Sequence, residues 1–269
     1  MNSLNYYDNI AHVYDQTRWL TESVAEEVAD FIINLTRAAP KTNFLEPGVG
    51  TGLNVFPLVK RGYSVTGIDV SQEMLDQFSQ KFNTTPPNLN LIHADASQLP
   101  FSDNSFDVVL TVHMLHTVSD WRVFLDDIHR VLKPGGFYLN SQWITPPARK
   151  EFEGYFREFL DKYKGINTKS KGVNSAIPEI NTEGYLNHKG YVSNYLIAKE
   201  WTVSNTVEEL LNLFKLRPYG LCWQVSEDIF HKVLKEFEEF CIKHYGSLKT
   251  ILSSEAKFEI WAYSLPLTP

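Results

Sequence analysis

Short apolar segments alternate with amphipathic ones over the first 140 residues. Five short segments are rich in β-branched or aromatic residues and predict strands, at residues 43–46, 63–69, 90–94, 106–112 and 136–140. The segments between them repeat apolar residues at helical spacing, and Ser71 is placed to cap one of these helices. Strands that helices separate pair in parallel, because the crossover between them requires a dozen or more residues. The pattern therefore predicts an open, doubly wound, mostly parallel α/β sheet that binds its ligand at the carboxyl ends of the strands.

One proline interrupts this pattern. Pro57 lies inside the helix that is expected to follow Gly52. An interior proline removes a helical hydrogen bond and costs about 3 kcal/mol. We therefore expect this helix to be kinked or to begin late.

The pattern changes after Trp143. Helices are predicted at residues 151–163, 206–216 and 226–245, a long polar loop at 164–183 and a final strand at 256–264. The second half thus lacks the regular alternation of the first. We divide the chain into an α/β core with a leading helix at residues 1–143, an inserted, mainly helical segment at 144–220, and a return to the core at 221–269.

The composition is that of an ordinary soluble globular protein. Of the 269 residues, 43% are hydrophobic and 21% are charged, and the net charge is −7. No basic cluster could neutralise a row of phosphates, which disfavours nucleic acid as a partner. The chain shows neither a run of ~18 apolar residues for a membrane helix nor a secretory signal near its start. We expect a cytoplasmic protein in which the two cysteines, Cys222 and Cys241, are reduced and pack as small apolar groups.

A glycine-rich loop follows the first predicted strand. Residues 46–52 read Glu-Pro-Gly-Val-Gly-Thr-Gly, and a helix is predicted after them. Glycines let the backbone turn tightly and let a ligand approach without contact to a Cβ atom, and the helix N-terminus adds exposed N–H groups. The loop therefore indicates a nucleotide-like ligand, with a plain strand-to-helix turn as the alternative.

Acidic residues at three strand ends narrow the choice of ligand. Asp69 ends the second strand, where an acid can accept both hydroxyls of a ribose. Glu46 ends the first strand, where an acid would repel the pyrophosphate of a dinucleotide but suits a cationic ligand. S-adenosylmethionine (SAM) has a ribose, an ammonium group and a sulfonium and lacks phosphate, so the acids favour SAM over NAD. Asp95 could accept from an adenine amino group while the Ala96 N–H donates to a ring nitrogen, with turn capping by Asp95 as the alternative.

These motifs occur together in one known family. The chain resembles the class I SAM-dependent methyltransferases of the small-molecule, methyltransferase type 11-like family over about residues 40–140. The resemblance rests on Glu46-x-Gly48-x-Gly50-x-Gly52 and on the segments at 67–71, 95–96 with 99–101, 106–109 and 130–136. It implies a Rossmann-like methyltransferase fold with a seven-stranded sheet. It also implies that a helix around residues 7–15 closes over SAM and that residues 144–220 form a substrate cap.

The resemblance also implies the residues of the site. SAM is the expected cofactor, S-adenosylhomocysteine (SAH) the expected product, and no metal is expected. Tyr14 and Arg18 would contact the methionine carboxylate, with helix-face packing and a solvated charge as the alternative. The expected cofactor-binding residues are Tyr14, Arg18, Glu46, Gly48, Gly50, Gly52, Asp69, Val70, Met74, Asp95, Ala96 and Thr111.

Two histidines follow the fourth predicted strand and are the candidate catalytic residues. A neutral imidazole of His116 or His113 could take the proton of a hydroxyl or ammonium acceptor at neutral pH, and the alternative is a packing role. Their spacing also permits a metal pair, but no acid-rich cluster completes a metal site. Trp143 and Tyr155 could line an apolar acceptor pocket, although such aromatic residues also serve as core.

The sequence therefore favours an enzyme. The leading hypothesis is a SAM-dependent methyltransferase that moves a methyl group by in-line displacement to an oxygen, nitrogen or carbon atom of a small organic acceptor, such as a specialised metabolite. The alternative is a protein of the same fold that does not methylate, either a cyclase-like catalyst or a regulatory SAM-binding module. A nicotinamide-dependent reductase is disfavoured by Glu46.

Overall fold

A computed structural model describes residues 3–163, 181–223 and 225–266, and seven strands of this part form one sheet. The order of the strands across the sheet is β3-β2-β1-β4-β5-β7-β6. Their bounds are Asn43–Pro47 (β1), Ser64–Asp69 (β2), Leu89–His93 (β3), Phe106–Val112 (β4), Leu132–Ile144 (β5), Val192–Thr206 (β6) and Ile251–Ser264 (β7).

The direction of the strands fixes where a ligand can bind. Strands β1 to β5 run parallel, and β7 runs antiparallel between β5 and β6. After β1 the chain builds the sheet outward through β2 and β3, and it then returns to the other side of β1 for β4 and β5. Such a reversal of strand order opens a crevice at the carboxyl ends of β1 and β4. The predicted doubly wound α/β fold is therefore confirmed.

Helices cover both faces of the sheet. Their bounds are Ser3–Ile10 (α1), Glu22–Thr36 (α2), Phe56–Lys60 (α3), Gln72–Gln80 (α4), Trp121–Val131 (α5), Pro147–Asp161 (α6), Thr182–His188 (α7), Val207–Lys215 (α8) and Glu227–Tyr245 (α9). Apolar residues of α2, α3 and α4 pack on one face, and those of α5 and α7 pack on the other. Apolar side chains of β1, β4 and β5 alternate between these two cores, as the two-residue period of a strand requires.

Two local predictions about helix starts are confirmed. The Ser71 hydroxyl accepts the Met74 N–H at 3.2 Å and caps α4. Helix α3 begins late, at Phe56, so that Pro57 occupies its first turn. At that position the missing N–H of proline costs nothing, because the first N–H groups of a helix have no intrahelical partner.

Helices α6, α8 and α9 form a helical unit with a core of its own. This core is almost entirely apolar and consists largely of phenylalanine rings: Phe152, Phe156, Phe214, Phe230 and Phe237. Cys222 and Cys241 are buried in the same core as free thiols. Burial raises the pKa of each thiol to about 12, so both remain protonated at neutral pH. Both cysteines therefore pack as small apolar groups, as expected.

The region after Trp143 departs from the sequence prediction in two places. Residues 192–206 form β6, an edge strand of the main sheet, which the sequence pattern did not reveal. Most of the predicted loop at 164–183, residues 164–180, lies outside the described residues. The prediction is wrong for Thr182 and Glu183, which begin α7. The division of the chain at 143 and 220 and the substrate cap at 144–220 stay predictions. None of the described helices is long and apolar enough to cross a membrane.

Candidate active site

The glycine loop links β1 to α3 and takes a conformation that favours glycine. Gly48, Gly50 and Gly52 have φ values of 70°, 54° and 73°, in the left-handed region. A Cβ atom at Gly52 would lie 2.3 Å from the ring of Phe78, so α4 packs directly against the loop. A Cβ atom at Gly50 would meet nothing within 4 Å. The loop is thus anchored at Gly52 and open at Gly50.

Asp69, at the end of β2, is bonded to this loop. Its Oδ2 accepts the Gly50 N–H at 2.8 Å, and its Oδ1 accepts the Ser71 N–H at 2.9 Å. Burial raises the pKa of Asp69, and the backbone hydrogen bonds oppose that rise. These bonds fix the carboxylate beside the open part of the loop, and each oxygen keeps a lone pair for a further donor. A carboxylate held in this way could accept from the hydroxyls of a ribose.

Glu46, near the end of β1, is fully buried, and only one of its two carboxylate oxygens has a hydrogen-bond partner among the described residues. Its Oε1 accepts from the Asn54 side chain at 2.8 Å, whereas its Oε2 has no hydrogen-bond partner among the described residues. Burial raises the pKa of Glu46 to about 8. A buried, unpartnered carboxylate oxygen is costly, and a cationic donor would relieve that cost. Asn54 is a site residue that the sequence analysis missed, and no sequence signal pairs it with Glu46.

The remaining predicted cofactor residues divide into those at the site and those inside the core. Asp95 is exposed, and its Oδ1 accepts the Ser97 N–H at 2.8 Å, which is the turn-capping arrangement. Ala96 is buried beside it, and Met74 is buried under the N-terminal residues. Val70 lies between Asp69 and Ser71, with its carbonyl 2.9 Å from His93 Nε2. Thr111 is fully buried, and its hydroxyl lies 3.0 Å from the Tyr138 hydroxyl, so this side chain points into the core.

An N-terminal segment, residues 14–19, contacts the glycine loop through Asp15. The Arg18 guanidinium lies over the Tyr14 ring at 3.9 Å. Asp15 accepts from the Thr51 hydroxyl at 2.5 Å and pairs with Lys81 at 2.5 Å. Charges of Tyr14, Arg18 and Asp69 act on the Tyr7 hydroxyl, whose pKa is raised chiefly by burial. Tyr14, Arg18 and Asp69 therefore all lie within electrostatic range of Tyr7, and the assignment of Tyr14 and Arg18 to the methionine carboxylate stays a prediction.

A cavity of about 460 Å³ opens beside the carboxyl ends of β4 and β5. The two candidate histidines lie in its wall, next to the loop that follows β4. The wall is mixed polar and aromatic, and it consists of His113, Met114, Leu115, His116, Asn140, Ser141, Gln142, Asn181, Thr182, Glu183, Trp261 and Tyr263. A small organic molecule fits a cavity of this size and composition.

The two histidines differ in what they can do. His113 Nε2 accepts the Trp143 N–H at 3.0 Å, and burial lowers the pKa of His113 to about 4. His113 also has a left-handed φ of 54°. Its Nε2 lone pair is thus engaged, and the ring is a weak base. Burial also lowers the pKa of His116, which is exposed to the cavity and has no such bond. The geometry favours His116 over His113 as the proton acceptor.

The structure separates the two aromatic residues that the sequence analysis proposed for the acceptor pocket. The Trp143 backbone lies beside His113, but its buried ring packs in the core against Trp19 and Phe258 and is not among the residues that line the described cavity. Tyr155 lies elsewhere: its ring packs against Phe240 and His244 of α9, and its hydroxyl donates to Glu151 at 3.1 Å. Tyr155 lies on a helix, as predicted, but its side chain faces α9 and does not line the described cavity.

The cavity and the loop hold no cluster suited to a metal ion. Among the residues that the structure describes, no group of three or more histidine, cysteine, aspartate or glutamate side chains is arranged to bind one.

Comparisons with known proteins point to one type of domain. Residues 45–140 match a family model described as a methyltransferase domain. A demethylmenaquinone methyltransferase of Staphylococcus aureus strain Newman is 39% identical over 110 residues. That segment is 40% of this chain and 45% of the relative, so the chain spans less than half of the relative that it matches.

Solved structures with the same fold cover most of the chain. YcgJ from Bacillus subtilis matches with a TM-score of 0.52 and 14% identity, over 89% of this chain and 98% of its own. A putative methyltransferase from Bacillus halodurans matches over the same shares with a TM-score of 0.54 and 13% identity. The [4+2]-cyclase SpnF matches over 98% of this chain and 95% of its own, with a TM-score of 0.54 and 16% identity. At these identities the likeness concerns the fold.

Proposed function

We propose that this chain, whose residues 45–140 match a family model of a methyltransferase domain, is a class I SAM-dependent enzyme that transfers a methyl group from SAM to a small organic acceptor. The observation that carries the proposal is the buried, unpartnered Oε2 of Glu46 beside a glycine loop. A cationic ligand such as SAM would favour the ionised form of Glu46 and satisfy this oxygen, whereas a pyrophosphate offers it neither a donor nor a positive charge.

The residues at the loop fit the parts of SAM. Asp69 would accept the ribose hydroxyls through the lone pairs that its backbone bonds leave. Glu46 would accept from the ammonium group, and the open face of Gly50 leaves room for the ligand. Tyr14 and Arg18 would cover the methionine carboxylate from the N-terminal segment, and Ala96 would contact the adenine. Bound SAM would supply an electrophilic methyl group whose leaving thioether is neutral.

The cavity beside β4 is the proposed acceptor site. Its walls would hold the acceptor atom about 3 Å from the methyl carbon and exclude water, which accounts for most of the catalysis of an in-line displacement. His116 would take the acceptor proton where the acceptor is a hydroxyl or an ammonium. His113 would hold the end of β4 in place through the Trp143 N–H and would not titrate near neutral pH.

The acceptor itself belongs to this proposal. A match to a demethylmenaquinone methyltransferase suggests quinone-like acceptors as the first compounds to try. The matched segment covers only 40% of this chain, however, and much of the cavity wall comes from residues after position 140. A panel of phenols, hydroquinones, amines and activated carbon acids should therefore be tested together.

Calorimetry and a transfer assay test the proposal. We expect SAM and SAH to bind with micromolar affinity and NADH not to compete. We also expect radiolabel from methyl-labelled SAM to appear in at least one acceptor of the panel, with SAH formed in equal amount. No binding of SAM or SAH at high micromolar concentration would refute the proposal.

A second candidate function is kept because of the fold. The [4+2]-cyclase SpnF shares the architecture over 98% of this chain, and a fold does not determine a reaction. A cyclase-like catalyst or a SAM-binding regulatory module would bind SAM without forming SAH from any acceptor. The transfer assay therefore distinguishes the two functions, and calorimetry alone does not.

A further inference from the structure

Arg149 is a buried cation at the start of α6. Only 4% of the residue is exposed. It lies on the same face of α6 as Phe152, Phe156 and Leu160, which form part of the helical core, so the pattern would place an apolar residue at this position. A cation in the first turn of a helix is also unfavourable to the helix dipole. The stability of α6 therefore does not account for an arginine here.

The contacts of Arg149 join two parts of the molecule. Its Nη2 donates to the Thr17 carbonyl at 2.7 Å and to the Tyr219 hydroxyl. Its guanidinium lies over the Trp19 ring at 4.9 Å, and its Nε pairs with Glu153, one turn further along α6, at 3.0 Å. The Glu153 pair lies within α6 and neutralises the charge. The contacts to Thr17 and Trp19 link α6 to the N-terminal segment.

Other contacts also hold the same segment. Asp15 is bonded to Thr51 of the glycine loop and to Lys81, just after α4. Trp201 of β6 donates its indole N–H to the Trp19 carbonyl at 3.2 Å. Residues 14–19 are therefore fixed to the cofactor side through Asp15 and to the helical unit through Arg149. The segment can leave the glycine loop only if these contacts break.

We propose that Arg149 is a positioning residue that holds the N-terminal segment closed over the cofactor site and so makes cofactor release depend on the helical unit. This inference rests on the proposed function, because it assumes that SAM or SAH lies under the segment. Arg149 acts through the Thr17 carbonyl and the Trp19 ring and does not touch the reacting atoms. Lysine could keep the charge, but it lacks the planar fork that serves Thr17, Tyr219 and Glu153 together.

Trypsin can report the position of the segment directly. Arg18 lies between the two residues that Arg149 contacts, so cleavage after Arg18 requires the segment to open. We compare wild type with Arg149→Met, which keeps much of the length and removes the charge and the donors. Arg157→Met is the matched control, because Arg157 is exposed on the same helix. Tyr219→Phe, which removes only the phenol oxygen, is a milder second variant.

Two rates are measured with SAH bound. The first is the appearance of the fragment that ends at Arg18, followed by mass spectrometry, and the second is the dissociation of SAH in stopped flow. We expect Arg149→Met to raise both rates at least about tenfold, because several contacts of a charged donor are lost. Tyr219→Phe should raise them less, Arg149→Lys should restore them in part, and Arg157→Met should leave them unchanged.

The outcomes separate this inference from the proposed function. If wild type does not bind SAH, the proposed function fails. If wild type binds SAH but the cleavage and dissociation rates of Arg149→Met and Tyr219→Phe both equal those of the control Arg157→Met, the role of Arg149 is refuted. If Arg149→Met is misfolded by circular dichroism, Tyr219→Phe decides: unchanged rates refute the inference, and raised rates support it.

Discussion

The backbone N–H of Trp143 donates to Nε2 of His113 across 3.0 Å, and this bond joins the loop after β4 to the end of β5. It assigns a structural role to His113, the first residue after β4. It also leaves His116, three residues later in the cavity wall, as the base that could take a proton from an acceptor. The two histidines should therefore respond differently to substitution.

His116→Ala should lower kcat by about 10²-fold or more and leave the Kd of SAM nearly unchanged, because general-base catalysis contributes on that scale. The base must be neutral to act, and burial lowers the pKa of His116, so activity should rise with pH and reach half its maximum below the ordinary histidine value of about 6.5. Steady-state kinetics from pH 4.5 to 8 test both statements. An equal loss in kcat and SAM affinity would contradict the role of His116 as base.

His113→Ala should instead lower the melting temperature and weaken acceptor binding. The substitution removes the acceptor of the Trp143 N–H and places alanine at a φ of 54°. His113→Asn is the matched variant, because asparagine tolerates this backbone region and offers an acceptor. Thermal unfolding should show that His113→Asn is less destabilised than His113→Ala.

Asp69→Asn should weaken SAM binding by about tenfold to a hundredfold. The amide keeps one oxygen as an acceptor but loses the negative charge, and the loss of one charge-assisted hydrogen bond to the ribose costs about 1.5–3 kcal/mol. Glu73→Gln is the control, because it removes the same charge from an exposed position in the first turn of α4. Titration calorimetry compares the SAM affinities of wild type, Asp69→Asn and Glu73→Gln. Equal affinities would contradict the assignment of Asp69 to the ribose.

SAM binding should release protons through Glu46. With a pKa of about 8, the Glu46 carboxyl is mostly protonated in the free protein at pH 7, and a cationic ligand favours its ionised form. The affinity for SAM should therefore increase as the pH rises towards 8. Calorimetry in buffers of different ionisation enthalpy counts the released protons. Glu46→Gln should abolish this release, and a release that persisted in that variant would have to come from another group.

Glu46 should also make the free protein less stable at higher pH. Its pKa is about 8 when folded and near 4.5 in the reference state, so the folded protein holds a proton that the unfolded chain gives up between these values. The contribution of Glu46 to the free energy of unfolding should then be at its maximum below pH 4.5 and should decrease as the pH rises to 8. Denaturant titrations of wild type and Glu46→Gln should diverge over this interval, with the variant the more stable at pH 8.

Two alanine substitutions in the glycine loop should have contrasting effects. Gly52→Ala places a methyl group 2.3 Å from the Phe78 ring and should be destabilising by several kcal/mol. Gly50→Ala meets no protein atom within 4 Å and costs only the backbone strain of about 1–2 kcal/mol, but its methyl group enters the space proposed for SAM. Thermal unfolding should rank Gly52→Ala as the less stable variant, while Gly50→Ala should lose SAM affinity while still folded.

The first half of the fold could be predicted from the sequence because its strands are buried and its turns carry glycine, proline or a capping serine. Strand β6 was not predicted, since residues 192–206 form a half-exposed edge in which polar and apolar side chains are mixed in about equal numbers. Its pairing depends on β7, which lies 45 residues or more further along the chain. Local patterns contain no information about such a partner.

The candidate site shows the same division. Glu46, Asp69 and the glycines could be identified because their chemistry is tied to strand ends. The side of a helix that faces a cavity is settled only by tertiary packing, which is why Tyr155 was assigned to the acceptor pocket and lies against α9. Arg149 and Asn54 act through contacts to distant segments, and a single sequence does not show these contacts.

The position of β7 between β5 and β6 has a consequence for synthesis on the ribosome. Within the described strands, β6 pairs with β7 alone, and β7 is the last of them in chain order. The five parallel strands can assemble as soon as residue 144 has emerged, whereas β6 must wait for residues 251–264. A nascent chain would thus expose an unprotected sheet edge at β5 until residues 251–264 have been made, and a chain that stops before residue 251 would leave β6 without β7 to join.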